Sequence, residues 1–286
     1  MDRRDMIKKA IVGAGVVASG KIIANSNNSK HSEIVGFNHL PEKKGIKMGN
    51  IVVHKATERG HANHGWLNSH HSFSFASYYN PDKMNFGVLR VLNDDTVSPG
   101  MGFGTHPHDN MEIISIPLEG DLEHKDSMGN TTVIKQGDIQ VMSAGTGVRH
   151  SEYNKNKDKE VKFLQIWVIP NKRSVEPRYD QIALDPAQRN NKLQQVLSPN
   201  KDDAGVWIHQ DAWFHMGKFE QGKTADYTIQ KEGNGVYAFV LKGSFTINGQ
   251  ELSERDAAGI TDANTINLTA ASNDAEILLM DIPMNI

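Results

Sequence analysis

Hydrophobic residues from position 51 onward occur in short runs separated by glycine, asparagine, aspartate or proline. The runs are enriched in β-branched and aromatic residues, a pattern typical of strands joined by turns. In the first half, the predicted strands are residues 51–56, 86–92, 112–118, 131–134, 139–142 and 163–169. Short strands in this succession favour a sandwich or barrel.

The second half of the chain continues the same pattern. Predicted strands there are residues 207–208, 216–219, 237–241, 245–247 and 277–282. Asn248-Gly249 is a strong signal for a two-residue hairpin turn between the strands on either side. The polar segment 171–200 separates the two sets and predicts at most one helical stretch, near residues 186–196.

The two halves also share a weak, ordered repeat. Residues 118–120 and 137–139 parallel residues 241–243 and 255–257, each time with a hairpin between them. We therefore predict an all-β protein with two jelly-roll-like β-barrels in one chain. The predicted domains are residues 51–170 and 201–286, joined by a connecting segment at residues 171–200.

The N-terminal segment differs from the rest of the chain. Basic residues precede an apolar stretch at residues 10–18, an order that predicts a cleavable export signal at residues 1–26. Arg3-Arg4 resembles the start of a twin-arginine signal, so we expect a periplasmic protein. An uncleaved anchor or a disordered basic tail on a cytoplasmic protein are the alternatives. The apolar stretch is shorter than the ~20 residues of a membrane span, and residues 27–50 are predicted as a linker.

Charge and cysteine content exclude several functions. The formal net charge of the 286-residue chain is −3, with both signs spread along it, which gives no footprint for binding nucleic acid. Cysteine is absent, so a disulfide framework, a cysteine nucleophile and a thiolate metal site are excluded. Any metal ion must take nitrogen and oxygen ligands.

A first pair of candidate ligands is His106-Pro107-His108. Side chains two positions apart on a strand project from the same face, so both imidazoles point one way. Pro107 has no backbone N–H and favours a strand edge that a ligand can approach. A single pair of this kind is weak evidence for a metal site.

A second pair, His150-Ser151-Glu152, follows a glycine-rich turn. Two such pairs can meet across a barrel and surround one cation with three imidazoles and a carboxylate. Four protein ligands leave coordination positions open for substrate or dioxygen. We therefore favour Fe²⁺, one ion per chain, with Ni, Cu, Mn or Zn as alternatives and a closed structural zinc site as the competing interpretation.

Other residues near these pairs have less support as ligands. Glu112 is either a fifth ligand or a residue that pairs with a neighbour at the rim, and we favour the second interpretation. Met101, Phe103 and Met142 are predicted to form an apolar wall beside the metal. The second half lacks both pairs and is predicted to bind no metal. The histidines expected to be hydrogen-bonded or surface residues are His61, His64, His70, His71, His124, His209 and His215.

Specific motifs extend from residue 51 to residue 283. They include Arg59-Gly60-His61, Gly65-Trp66-Leu67, His71-Ser72-Phe73-Ser74-Phe75, Thr105-His106-Pro107-His108, Met111-Glu112-Ile113-Ile114 and Arg149-His150-Ser151-Glu152-Tyr153-Asn154. On these motifs the chain resembles the pirin family, two-domain members of the cupin superfamily. Ser143 departs from the general cupin pattern, which has proline there, but the departure does not touch the ligand positions.

The resemblance implies a fold, a site and an activity. It implies a bicupin with metal ligands at His106, His108, His150 and Glu152. Bacterial pirins are similar to quercetin 2,3-dioxygenases, which open a flavonol ring with dioxygen, so a small phenolic substrate and O₂ are the implied partners. Glu152 would accept or steer the phenolic proton. The alternative is a metal-binding regulator that contacts other proteins, which the export signal disfavours. We expect a monomer.

Overall fold

The computed structural model describes residue 45 and residues 47–286. The predicted export signal and most of the predicted linker lie outside the described residues. Within the described part, the chain forms 22 strands and two short 3₁₀ helices, Ala56–Glu58 and Pro186–Arg189. None of the helices described is long and apolar enough to cross a membrane.

The first twelve strands lie between residues 50 and 183. Their bounds are β1 Asn50–His54, β2 Gly60–Asn63, β3 Leu67–His71, β4 Leu89–Val97, β5 Gly102–His108, β6 Glu112–Glu119, β7 Leu122–Asp126, β8 Thr131–Ile134, β9 Asp138–Ser143, β10 Val148–Asn154, β11 Val161–Val168 and β12 Arg178–Ala183.

The remaining ten strands complete the chain. Their bounds are β13 Leu193–Ser198, β14 Val206–Trp207, β15 Trp213–Phe219, β16 Thr224–Thr228, β17 Asn234–Lys242, β18 Phe245–Ile247, β19 Gln250–Leu252, β20 Ala257–Thr261, β21 Thr265–Ala270 and β22 Ala275–Pro283.

The strands form two barrels, each made of a seven-stranded and a four-stranded sheet. In the first barrel the orders are β12-β9-β6-β11-β4-β3-β2 and β5-β10-β7-β8. In the second they are β1-β20-β17-β22-β15-β13-β14 and β16-β21-β18-β19. The predicted all-β bicupin architecture is confirmed.

The two seven-stranded sheets pack against each other through a shared hydrophobic core. Ile114 and Ile166 of the first barrel belong to the same buried cluster as Phe239 and Met280 of the second. Central strands are therefore buried on both faces. The sequence of such a strand is a continuous hydrophobic run, without the alternation of polar and hydrophobic residues. This arrangement leaves the interior of each barrel separate from the shared core.

The interiors of the two barrels differ in polarity. The second is filled by aliphatic and aromatic side chains, among them Val240, Phe245 and Ile260. The seven-stranded sheet of the first barrel carries buried polar residues, including Asn93, Ser115 and Gln165. Burying a polar group costs free energy unless the group is hydrogen-bonded. This interior is therefore better suited to a binding site than to a hydrophobic core.

The assignment of strands to the two barrels does not follow their order in the chain. β1, at the start of the predicted first domain, pairs with β20 of the second barrel. Within the predicted connecting segment, β12 pairs with β9 of the first barrel, and β13 pairs with β15 of the second. The predicted domain bounds stay a prediction.

The predicted helical stretch near residues 186–196 is only a single 3₁₀ turn. Asp185 caps it by accepting a hydrogen bond from the backbone N–H of Ala187. Asn191 then has a positive φ of 54°, which ends the turn and allows strand β13 to begin at Leu193. The polar composition of the segment reflects this turn and the strand that follows it, not a longer helix.

Candidate metal centre

Three histidines of the first barrel converge because β5 and β10 are antiparallel neighbours. His150 lies directly opposite His106, and Val148 lies opposite His108. The ring centroid of His106 is 4.8 Å from that of His108 and 4.4 Å from that of His150. One ring nitrogen from each of the three lies within 4.8 Å of the others. The structure therefore brings together three of the four predicted ligands as one group.

The protonation of these rings favours binding a cation. His106 Nδ1 donates to the backbone oxygen of Gly104 at 2.8 Å, which leaves its Nε2 with a free lone pair. Both ring nitrogens of His150 are buried and lack a hydrogen-bond partner in the described structure. Burial, followed by the neighbouring imidazoles, lowers the pKa of His150 to about 3 and that of His108 to about 4. Both rings are neutral near pH 7, the form that ligates metals.

Glu152 lies beside this group, beyond an irregularity in the pairing of β10 with β5. Its carboxylate is buried and accepts two hydrogen bonds, from Ser115 Oγ to Oε1 at 3.0 Å and from Gln165 Nε2 to Oε2 at 2.7 Å. Glu152 forms a second three-donor group with His150 and His124. The four predicted ligands thus fall into two overlapping groups that share His150.

His124 is the residue of this centre that sequence reasoning set aside. It lies on β7, directly opposite Glu152 of β10, with its ring centroid 5.3 Å from that of His150. Its Nε2 donates to Asp126 Oδ2 at 3.0 Å, and its buried Nδ1 has no partner among the described residues. Asp126 follows His124 by two positions, the same spacing as in the other two pairs. This spacing could have identified His124 as a residue of the site.

Glu112 belongs to neither three-donor group. Ser143 Oγ donates to its Oε2 at 2.6 Å, and burial raises the pKa of Glu112 to about 7. Glu112 and Ser115 are three positions apart on β6, so their side chains lie on opposite faces of the sheet. This placement agrees with the favoured interpretation that Glu112 pairs with a neighbouring group.

A cavity of about 510 Å³ adjoins the centre. His106 and Glu152 line it on the side of the metal centre, and its aromatic lining consists of Trp66, Phe75, Phe103 and Trp167. Of the predicted apolar wall only Phe103 is present, because Met101 is exposed and Met142 is buried among Ile113, Ala144 and Val148. Two of the histidines expected to be hydrogen-bonded or surface residues, His64 and His71, also line this cavity.

The residues present fit a divalent first-row metal ion. Neutral imidazoles and a carboxylate are the ligands such ions take in the absence of thiolates. The two unpartnered nitrogens of buried His150 add a structural reason, since buried polar atoms are nearly always satisfied by protein, water or an ion. The set does not rank iron, nickel, copper, manganese and zinc.

Comparison with known families and proteins gives consistent results. The Pirin family model matches residues 52–168, and the model of the quercetinase C-terminal cupin domain matches residues 195–282. The quercetin 2,3-dioxygenase of Escherichia coli K12 is 46% identical over 233 residues, covering 82% of this chain and 99% of that protein. A pirin-like protein of Caulobacter vibrioides is 41% identical over 223 residues, covering 78% and 95%.

Solved structures agree with the sequence matches. The crystal structure of the bacterial pirin YhhW from Escherichia coli in complex with nickel(II) superposes with a TM-score of 0.77 at 44% identity. The match covers 82% of this chain and 99% of that one. The similarity therefore extends over both barrels.

Proposed function

The chain belongs to the pirin family and is an enzyme of the oxidoreductase type, and from this premise we propose that it is a metal-dependent dioxygenase acting on a flavonol or a related phenolic compound. In the proposed reaction, dioxygen opens the flavonol ring. The observation that carries the proposal is the convergence of His106, His108 and His150 beside a cavity with aromatic walls.

The residues that would hold the ion are His106, His108, His150 and Glu152. His124 lies next to His150 and Glu152. A bound divalent ion supplies Lewis-acid binding of a phenolic oxygen and lowers the pKa of that hydroxyl. We propose Fe²⁺ as the ion in the cell. Nickel is the first alternative, because the structure of a relative at 44% identity is a complex with nickel(II).

Glu152 is the proposed acceptor for the phenolic proton. It lines the cavity, and its two carboxylate oxygens are each held by one donor, Ser115 or Gln165. These two hydrogen bonds fix the carboxylate in one orientation, so the acceptor is in place before the substrate arrives. The proton moves from the phenolic hydroxyl to a carboxylate oxygen of Glu152.

The walls of the cavity are suited to a planar aromatic ring. Trp66 and Phe103 pack edge to face with ring centroids 5.3 Å apart, and Phe75 and Trp167 do so at 5.5 Å. Trp167 Nε1 is buried without a hydrogen-bond partner in the described structure. This donor is suited to the carbonyl oxygen of a flavonol.

The test combines elemental analysis with a turnover assay. The protein is purified without added metal, its bound metals are measured, and flavonol absorbance is followed in air. One metal ion per chain and loss of flavonol in wild type, with both abolished in the double variant His106→Ala, His108→Ala, support the dioxygenase. The variant His64→Ala, at a cavity-lining histidine outside the ligand set, is the matched control for metal content.

Two other outcomes would count against the proposal in different ways. A full complement of metal with no flavonol turnover favours a binding or regulatory protein. Absence of metal in protein that is folded, and that fails to take up iron or nickel added afterwards, contradicts the metal centre itself.

Export through an N-terminal signal at residues 1–26 is a separate proposal. It rests on the basic start, the apolar stretch and the arginine pair of the sequence. Fractionation of cells that express the full chain tests it, with Arg3→Lys, Arg4→Lys as the variant. Wild type in the periplasm and the variant retained in the cytoplasm is the expected result, and equal cytoplasmic location of both contradicts it.

A further inference from the structure

A row of polar side chains crosses the seven-stranded sheet of the first barrel. His71 of β3 lies opposite Asn93 of β4, Asn93 lies opposite Gln165 of β11, and Gln165 lies opposite Ser115 of β6. Residues directly opposite each other on neighbouring strands share a face, so all four side chains point into the same interior. All four are buried, and the first three line the cavity beside the metal centre.

Only one end of this row is satisfied by hydrogen bonds to Glu152. Ser115 and Gln165 donate to the two oxygens of that carboxylate. At the other end, His71 Nδ1 and Asn93 Oδ1 are buried and have no hydrogen-bond partner among the described residues. Native structures seldom leave buried polar atoms unpaired, and each exception calls for an explanation, such as a functional role or a bound species.

The hydrogen bonds of His71 fix which of its nitrogens is free to accept. Burial raises the pKa of Asp95 to about 7, so above that pH Asp95 is a carboxylate to which Ser69 Oγ donates its only proton, and Ser69 then acts as an acceptor toward His71. His71 Nε2 lies 2.8 Å from Ser69 Oγ and therefore carries the ring proton. Because burial lowers the pKa of His71 to about 4, the ring is neutral and its Nδ1 presents a lone pair. The neighbouring Asn93 Oδ1 is an acceptor as well.

His71 and Asn93 face each other on neighbouring strands and line a cavity with aromatic walls, so their unpaired acceptors match hydrogen-bond donors on an aromatic ligand. We propose that His71 and Asn93 form a hydroxyl-recognition subsite, which selects polyphenols that carry free hydroxyl groups on the ring remote from the metal centre. This inference rests on the proposed function and names its substrate class. β3 is two strand spacings, roughly 10 Å, from β11, which carries Gln165, so the two ends of one multi-ring phenol can reach both sites.

The subsite predicts a preference that can be measured in wild type alone. Quercetin, with two hydroxyls on its pendant ring, is compared with the flavonol that lacks both and with the flavonol in which both are O-methylated. Each pair of lost hydrogen bonds lowers kcat/KM about tenfold or more, mainly through KM. Equal kcat/KM for the three compounds overturns the subsite without touching the proposed dioxygenase.

A variant of Asn93 then tests whether the preference for hydroxylated flavonols arises at the His71 and Asn93 end of the row. Asn93→Leu removes the acceptor at nearly constant volume, and we expect the ratio of kcat/KM between the hydroxylated and the unhydroxylated flavonol to fall toward one. Asn68→Leu, on the exposed face of β3, is the control and keeps the wild-type ratio. An undiminished ratio in folded Asn93→Leu contradicts the proposal, and His71→Gln repeats the test if Asn93→Leu does not fold.

Binding without turnover separates the subsite from the reaction. Titration of the metal-loaded protein in the absence of oxygen, followed by quenching of tryptophan fluorescence, gives Kd for each flavonol, since Trp66 and Trp167 line the cavity. Tighter binding of the hydroxylated compound by about tenfold supports the subsite even if no flavonol is consumed in air, a result that would remove only the dioxygenase. Equal Kd values in a protein that does turn over flavonol remove only the subsite.

Discussion

Gln165 Nε2 donates to Glu152 Oε2 across 2.7 Å, and this hydrogen bond links the polar row of the large sheet to the metal centre on the small one. Ser115 holds the other oxygen of the same carboxylate. Glu152 is thus oriented from β6 and β11, whereas the three ligand histidines come from β5 and β10.

Gln165→Leu is predicted to impair the centre without unfolding the barrel. The substitution leaves Oε2 of a buried carboxylate without a donor, and loss of such a supporting hydrogen bond costs about 10–100-fold in metal affinity or activity. Metal affinity is measured by competition with a chelator, and kcat by flavonol absorbance. Gln188→Leu, at an exposed position of the second 3₁₀ helix, should leave both unchanged. Wild-type values for both quantities in Gln165→Leu would show that this hydrogen bond has no role in the site.

Glu152→Gln is predicted to separate metal binding from proton transfer. An amide of the same shape can still offer an oxygen, but it cannot accept the phenolic proton, so kcat should fall about 10²–10⁴-fold. Elemental analysis of the same preparation checks that the metal is retained. Full turnover in a metal-loaded Glu152→Gln protein would remove Glu152 from the mechanism.

Asp126→Asn is predicted to weaken metal binding through His124. Oδ1 of Asp126 accepts from the backbone N–H groups of Met128 and Asn130, and Oδ2 accepts from Asn130 Nδ2 and His124 Nε2. Asparagine brings an NH₂ group against these donors, so His124 loses the hydrogen bond that fixes its ring. We expect metal affinity to fall about tenfold or more in chelator competition. The control Asp158→Asn, in an exposed loop, should match wild type.

Glu112 is predicted to make stability decrease as the pH rises. Burial raises the folded pKa of Glu112 from its usual 4.5 to about 7, so the folded state resists ionisation more than the unfolded state does. The stabilising contribution is fully present below about pH 4.5 and is lost as the pH rises through about 7. Glu112→Gln removes this loss, worth on the order of 3 kcal/mol at most.

Thermal unfolding at pH 5 and pH 8 measures the effect of Glu112. Relative to wild type, Glu112→Gln should gain Tm at pH 8 and little at pH 5. Glu119→Gln, at the exposed end of the same strand, should show no such difference. A parallel pH dependence in wild type and Glu112→Gln would mean that Glu112 does not titrate in this range.

The candidate site was predictable where its residues are close in sequence. His106 with His108, and His150 with Glu152, are separated by two positions, and the alternation of side chains along a strand places each pair on one face. The same rule applied to His124 and Asp126 would have added the missed histidine. Glu112 could not be placed from its separation from His108 in the sequence, because the turn between β5 and β6 lies between the two residues.

The sequence by itself determined that the protein is all-β, that it has two related halves and that the first carries paired imidazole and carboxylate ligands. These properties depend on local alternation and on residue chemistry. The tertiary structure alone decided that β1 joins the second barrel, that His124 faces Glu152 and that His71, Asn93, Gln165 and Ser115 form one row. The reason is strand register, since a shift of one residue reverses every side chain, and register between distant strands is set by packing of the whole barrel.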